Sequence, residues 1–258
     1  MKQDPHPTPN RKPPAAKKRL DVLLVERGLA PSRERAQAMV LTGKVRVDGR
    51  LVDKSGAQIA SDAQIEFTGE TLRYASRGGL KLEGALDDFG IDVSGRICVD
   101  VGSSTGGFTD CLLQRGASKV YAVDVTTNQL DWKLQRNPRV VMVERNARYL
   151  NAEDIPVAAA FICMDVSFIS VSTVLPAVAP IAQPGADFLL LIKPQFELSK
   201  QEVGKGGIVR EAKLHEKAIE RVTAAARGMH LEVCGIRPSR ITGAEGNQEF
   251  FLHARRPT

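Results

Sequence analysis

The run Asp100-Val-Gly102-Ser103-Ser-Thr-Gly106-Gly107-Phe108 joins a strand-like segment, RICVDVG, directly to a helix-like one, GFTDCLLQRG. A glycine-rich turn between a first strand and a first helix puts backbone N–H groups and a positive dipole end at the carboxyl edge of a sheet. Such a turn receives the polar part of a nucleotide-like cofactor, and glycine is expected because a side chain would block the ligand's close approach. The spacing is GxxxGG, which is neither the GxGxxG of dinucleotide folds nor a Walker loop. The next strand-like run, VYAVDV, ends in Asp124, placed to accept hydrogen bonds from two ribose hydroxyls. A dinucleotide site would use the same carboxylate. The combination favours S-adenosylmethionine over a nicotinamide or flavin cofactor, with Asp100, Gly102, Ser103, Gly106, Gly107 and Asp124 around it. Phe108 either covers the adenosine or packs in the core. Asn146, after the third strand, stands where folds of this kind place an adenine contact.

Three further polar residues fall at strand ends. Asp165 closes AAFICMD, Lys193 closes DFLLLIK, and Glu249 opens the last strand-like run in GNQEFFL. Lys81, in SRGGLKLEGAL, precedes the first strand on a helix that can lie across the cleft. Open α/β sheets do their chemistry at the carboxyl ends of strands. Singly, such a lysine is an ordinary surface residue and such an aspartate an ordinary helix cap.

These positions need elements to hold them. From Arg96 onward strand-like and helix-like runs alternate, through a long helix over 211–228 to closing strands near 230–237 and 248–254. This alternation predicts an α/β fold, a mostly parallel doubly wound sheet of Rossmann-like type. Before it, RLDVLLVERGL and SRERAQAMVLTG read as two short helices stopped at Gly28 and Gly43. KVRVDGRLV then reads as a hairpin turning at Asp48-Gly49, and AQIEFTG as a further strand. The organisation expected is a basic, proline-rich, disordered tail at 1–18, a small α+β module at 19–72, a connector at 73–80 and a larger domain at 81–258.

The module RLDVLLVERGLAPSRERAQAMVLTGKVRVDGRLV resembles the RNA-binding domain of ribosomal protein S-four. That likeness implies a platform for structured RNA, with Arg19, Arg33, Arg35, Lys44 and Arg46 as phosphate contacts. The larger domain resembles the FtsJ-like ribose 2′-O-methyltransferases. Taken with the module, the chain is similar to the TlyA family of rRNA methyltransferases, also labelled hemolysins. The blocks carrying this likeness are SRGGLKL, DVGSSTGGFTD, MDVSFIS, LIKPQFE, VGKGGIVR and GNQEFF, in family order. The resemblance implies a seven-stranded sheet, S-adenosylmethionine, ribosomal RNA or ribosomal subunits as partner, and methylation of a cytidine 2′-hydroxyl. It makes Lys81, Asp165, Lys193 and Glu249 the catalytic tetrad. Lys193 would steer or accept the hydroxyl proton, while Asp165 and Glu249 would orient and balance the two ammonium groups. Alignment of oxygen, carbon and sulfur is the main task, since the sulfonium methyl is already a reactive electrophile.

Composition sets the outer limits. The chain has 258 residues and a net charge of +6, with 43% hydrophobic and 26% charged residues. Positive charge is concentrated at the front: residues 1–18 hold five basic residues against Asp4, and the chain beyond residue 80 is neutral. A basic front end suits a polyanion. No apolar run reaches the ~18 residues of a membrane span, and the start lacks the apolar core of a secretory signal. Cys98, Cys111, Cys163 and Cys234 lie far apart, so neither a metal site nor a disulfide framework is expected, and a cytoplasmic location is. Two other classes remain open: an assembly factor that binds RNA without catalysis, and a membrane-active hemolysin.

Overall fold

The computed structural model describes residues 16–30, 32–41, 43–68, 73–204, 206–243 and 245–258; the side chains of Glu34, Arg35 and Ala38 also fall outside the description. The chain divides into two compact units, Met1–Thr71 and Leu72–Thr258.

In the first unit, β1 (Lys17–Arg19) leads into α1 (Leu20–Glu26) and α2 (Arg33–Leu41). Strands β2 (Val45–Val47), β3 (Arg50–Leu51), β4 (Gln58–Ala60) and β5 (Ile65–Phe67) follow. Leu20, Leu24, Ala36, Val40 and Val45 are fully buried and form its core. The β2–β3 hairpin turns on Asp48 (φ 48°) and Gly49 (φ 77°), the two positive φ values that a tight primed turn requires. One expectation changes here. Lys17 and Lys18, read as the end of a disordered tail, pair in β1 with Ala60 and Ile59 of β4. Backbone pairing needs no apolar side chain, so composition gave no sign of it. Residues 1–15 lie outside the described residues.

The second unit opens with α3 (Gly78–Phe89), β6 (Ile97–Val101), α4 (Gly107–Gln114), β7 (Lys119–Asp124), α5 (Trp132–Gln135) and β8 (Val140–Glu144). It continues with β9 (Ala159–Met164), α6 (Val171–Val178), β10 (Ala182–Ile192), α7 (Pro194–Glu197) and α8 (Lys200–Val203). It closes with α9 (Ala212–Gly228), β11 (Glu232–Pro238) and β12 (Phe250–Arg255). The segment read as a connector belongs to this unit: Gly78–Leu80 form the first turn of α3, and Tyr74 is buried beside it. The sequence signal was misread because SRGG looks like loop composition. A Cβ on Gly79 would lie 2.3 Å from the Tyr74 ring, so small residues there let the chain fold back on the helix.

The sheet has seven strands in the order β11-β12-β10-β9-β6-β7-β8. The five from β10 to β8 are parallel, and β12 runs antiparallel to both β10 and β11. Strand residues alternate between two cores. Val99, Val101, Ile162, Met164, Phe188 and Leu190 face one side, with α6 and α9 residues. Cys98, Phe161, Cys163, Leu189 and Leu191 face the other, with α3 and α4 residues. A sheet covered on both faces explains why its strands read as continuous apolar runs. The chain winds outward from β6 through β8, then restarts at β9 on the other side of β6. The crevice of a doubly wound sheet opens at that reversal, between the carboxyl ends of β6 and β9.

Well before that crevice along β10, Asp187 ties three strands together. Its carboxylate accepts from Arg96 Nη1 (2.7 Å), pairs with His253 Nε2 (2.9 Å) and accepts from Arg255 Nε and Nη2 (3.0 and 2.9 Å). Although burial opposes ionisation, these donors hold the carboxyl well below the usual carboxylate range. Asp187→Ala is expected to lower unfolding stability by about 3 kcal/mol, because it strips a buried carboxylate from its cations. Urea denaturation would register the change, and an unaltered midpoint would show the cluster to be dispensable. Among the described residues, no helix is long and apolar enough to cross a membrane.

Candidate active site

Two clefts meet at the crevice. One, of about 560 Å³, is lined by Asp124, Val125, Asn146, Val166 and Ile169 among others. Its neighbour, of about 240 Å³, is lined by Lys81, Ser103, Gly107, Phe108 and Lys193 among others. Gly102, Ser104, Asp165 and Ser167 border both. Asp124, at the end of β7, accepts from the Ser104 backbone N–H (2.8 Å), which fixes its carboxylate against the loop while it lines the larger cleft. Asn146 caps the turn after β8 by accepting from the Arg148 N–H (3.0 Å) and borders the same space.

The glycines of the loop also have a packing reason to be small. A Cβ on Gly102 would lie 2.3 Å from the Asp165 carbonyl oxygen, and one on Gly106 would lie 2.3 Å from the Leu134 side chain. Both have positive φ, 87° and 92°. Without side chains the loop can press against the end of β9 and against α5. Gly107 likewise lies where a Cβ would meet Ser76 and Gly79. Asp100 departs from expectation. Its side chain is fully buried behind the loop, accepts from Thr109 Oγ1 (2.6 Å), and borders neither cleft. Burial, helped by the nearby charges of Asp165 and Asp124, pushes its carboxyl up to about 7 against the Thr109 hydrogen bonds. Phe108 resolves toward packing: it is 3% exposed and its ring lies 6.2 Å from that of Phe251, though it borders the smaller cleft.

The four predicted tetrad residues come together as two ion pairs. Lys81 Nζ, on the first turn of α3, lies 2.5 Å from Glu249 Oε2, just before β12. Lys193 Nζ, directly after β10, lies 2.6 Å from Asp165 Oδ1, directly after β9. Lys193 and Glu249 are 8% and 2% exposed. Gly243 makes room for the second carboxylate, since a Cβ there would sit 2.6 Å from Glu249 Oε1. Asn247 holds the strand entry by accepting from the Val209 N–H and donating to the Gly207 carbonyl, both at 2.9 Å. Among the described residues, no group of three or more His, Cys, Asp or Glu is placed to hold a metal ion.

Sequence reading missed three residues here. Ser167 accepts from Lys193 Nζ at 2.8 Å. Phe168 is 92% exposed at φ 63°, with its ring 5.2 Å from that of Phe196. Glu197, buried after Lys193, accepts from the Val171 N–H (2.8 Å) and from Ser170, and so ties the segment after Lys193 to the start of α6. An apolar aromatic outside any periodic run was the one available signal, at Phe168. In the first unit, Arg19 and Arg33 both bind the buried Asp21, at 2.8 and 3.2 Å. Arg46 donates to the Gly49 carbonyl (2.9 Å), and Lys44 is exposed. Arg35 lies outside the described side chains.

A doubly wound sheet with a cofactor-type cleft beside paired lysines and carboxylates is the architecture of a nucleoside-cofactor transferase. The chain matches the FtsJ-like methyltransferase family over residues 74–256 and the S4 domain over residues 18–65. It belongs to the FtsJ-like methyltransferase family and carries an N-terminal S4 domain. It is 43% identical to the Mycobacterium tuberculosis 16S/23S rRNA (cytidine-2′-O)-methyltransferase TlyA, covering 95% of this chain and 92% of that one. It is 41% identical to hemolysin A of Brachyspira hyodysenteriae, over 91% of this chain and 98% of that one. A solved structure described as a hemolysin, from Streptococcus thermophilus, superposes with a TM-score of 0.72 at 45% identity, covering 94% of this chain and 89% of the other.

The buried Asp100 yields a pH prediction. Its folded pKa, about 7, lies above the ordinary aspartate value of about 4, so the folded state binds the extra proton between them. Stability therefore falls as pH rises from about 4 through 7, by up to about 4 kcal/mol. Asp100→Asn should remove that slope and raise the melting temperature at pH 8. Identical slopes for the two proteins between pH 5 and 8 would count against it.

Proposed function

We propose that this protein transfers a methyl group from S-adenosylmethionine to the 2′-hydroxyl of a cytidine in ribosomal RNA. The observation that carries the reading is the pair of lysine–carboxylate contacts, Lys193–Asp165 and Lys81–Glu249, whose lysines line the smaller cleft next to the larger one. Asp124, Asn146, Ser103 and the Gly102–Gly107 loop would hold the cofactor, which supplies an electrophilic sulfonium methyl. The lining suits it: a carboxylate, Asp124, for a ribose diol, and apolar Val166 and Ile169 for a base.

Lys193 would meet the ribose hydroxyl and take its proton, while Asp165 holds the ammonium that results. Lys81 would present a second positive charge to the reacting oxygen, with Glu249 fixing its direction. Neither step requires a strong base, because the oxygen loses its proton as it bonds to carbon and alignment supplies much of the acceleration. Exposed Phe168, at the cleft rim, offers a face on which an unpaired base can stack. The S4 domain would supply RNA affinity through exposed Lys44 and Arg46. Arg19 and Arg33 keep a net positive charge at the surface after sharing Asp21. A ribosomal substrate would put the reaction in the cytoplasm.

The reading is tested by incubating the full-length protein with labelled S-adenosylmethionine and unmodified ribosomal subunits, then analysing digested nucleosides by mass spectrometry. The product expected is 2′-O-methylcytidine, and comparing subunits names the RNA. Lys193→Ala should cut turnover by at least about 10²-fold, the usual worth of a positioned proton acceptor. Its affinity for S-adenosylhomocysteine should be nearly intact. Full turnover in the variant would remove Lys193 from the mechanism. Cofactor binding with no transfer to either subunit would favour an RNA-binding assembly factor.

A further inference from the structure

We propose that Ser167 is a positioning residue for Lys193, fixing the direction in which the lysine nitrogen faces the ribose hydroxyl; this rests on the function proposed above. An amine nitrogen carries two N–H bonds and one lone pair, and its ability to take a proton depends on where that lone pair points. Around Lys193 Nζ, the structure places two oxygens. Asp165 Oδ1 lies at 2.6 Å and Ser167 Oγ at 2.8 Å. They are two positions apart on the segment leaving β9, so a single stretch of backbone sets both.

Ser167 Oγ accepts a hydrogen bond from Lys193 Nζ, while Asp165 Oδ1 meets the nitrogen as a close counter-charge that makes no hydrogen bond of its own. The two contacts together set which side of the nitrogen is left for whatever occupies the smaller cleft, which Lys193, Asp165 and Ser167 all line. Lys81 does not compete for these oxygens, because its own partner is Glu249. Asp165 alone would not suffice. A lysine side chain turns about four carbon–carbon bonds, and one contact leaves the nitrogen free to rotate about the line joining the two. A second contact removes that rotation.

The proton balance follows from this arrangement. The ribose O–H bond breaks and its proton passes to Lys193 Nζ, while the oxygen's electron pair forms the bond to the methyl carbon. The sulfonium carbon–sulfur bond breaks with its pair retained by sulfur, giving S-adenosylhomocysteine. The ammonium, donating to Ser167 and balanced in charge by Asp165, returns its extra proton to water. Ser167 takes part as an acceptor throughout and neither gains nor loses a proton.

The test compares Ser167→Ala and Ser167→Thr with the unaltered full-length chain, on ribosomal subunits. Ser167→Ala is expected to lower kcat about 10-fold, the equivalent of one hydrogen bond of orientation. KM for the RNA, affinity for S-adenosylhomocysteine by calorimetry, and melting temperature should all stay within error. Ser167→Thr, which keeps the hydroxyl, should restore most of the rate. An unchanged kcat in Ser167→Ala overturns the proposal. So does a parallel loss of cofactor affinity and melting temperature, which would mark Ser167 as a structural support of the loop. If the unaltered chain itself methylates no ribosomal RNA, the underlying functional reading fails first, and that result is seen before any variant is made.

Discussion

The close approach of Gly102 to the Asp165 carbonyl is the constraint on which the rest of the site depends. A hydrogen in place of a side chain lets the ends of β6 and β9 come together where the sheet reverses direction. A Cβ would sit 2.3 Å from that carbonyl oxygen, and the positive φ of 87° would strain any other residue as well. Both clefts border this contact. It therefore fixes the cofactor loop against the segment carrying Asp165 and Ser167, and through Asp165 it fixes Lys193. An error of one ångström here would be passed directly to the reacting atoms.

Charge is managed on the same local scale. Two lysines and two carboxylates are nearly buried in one place, an arrangement whose desolvation cost stabilises nothing unless each charge is paired. The pairing is one to one and comes from different parts of the chain: Lys81 on α3 with Glu249 before β12, and Lys193 after β10 with Asp165 after β9. Replacing the four by apolar residues would, on general grounds, give a fold at least as stable. Their presence together fits the proposed reaction, in which a lysine would exchange a proton without losing its place.

How far the sequence disclosed this depended on the kind of signal. Asp165 and Lys193 were legible because each follows an apolar run that can only be a buried parallel strand, and such strands end at the crevice. Lys81 and Glu249 stand 168 positions apart, and nothing local links them; only the order of the family-like blocks did. The glycines were found by spacing, which says that a side chain is intolerable without saying what it would strike. Asp100 was misplaced because a residue one position from a loop can face either the ligand or the core, and alternation along β6 turns it inward against Thr109. Ser167 and Glu197 gave no signal at all. A hydroxyl after a strand and an acid after a short helix are commonplace, and their roles exist only in the tertiary packing.

The first unit shows the same limit from the other side. The resemblance implied Arg19, Arg33, Arg35, Lys44 and Arg46 as phosphate contacts, with no sign that any of them shared a partner. Asp21, fully buried at the start of α1, gathers Arg19, Arg33 and Gln37 around one carboxylate whose pKa these donors hold far below the usual range. Two guanidinium groups on one acid leave a single net charge, but in a fixed place. For an RNA backbone, whose phosphates occur at regular intervals, a positioned charge contributes register as well as attraction, and register is what a domain must supply if a particular ribose is to reach a catalytic cleft. The internal acid thus lowers the count of free cations while ordering those that remain, and guanidinium groups already ordered in the free protein would have less side-chain freedom to lose on meeting the proposed RNA partner.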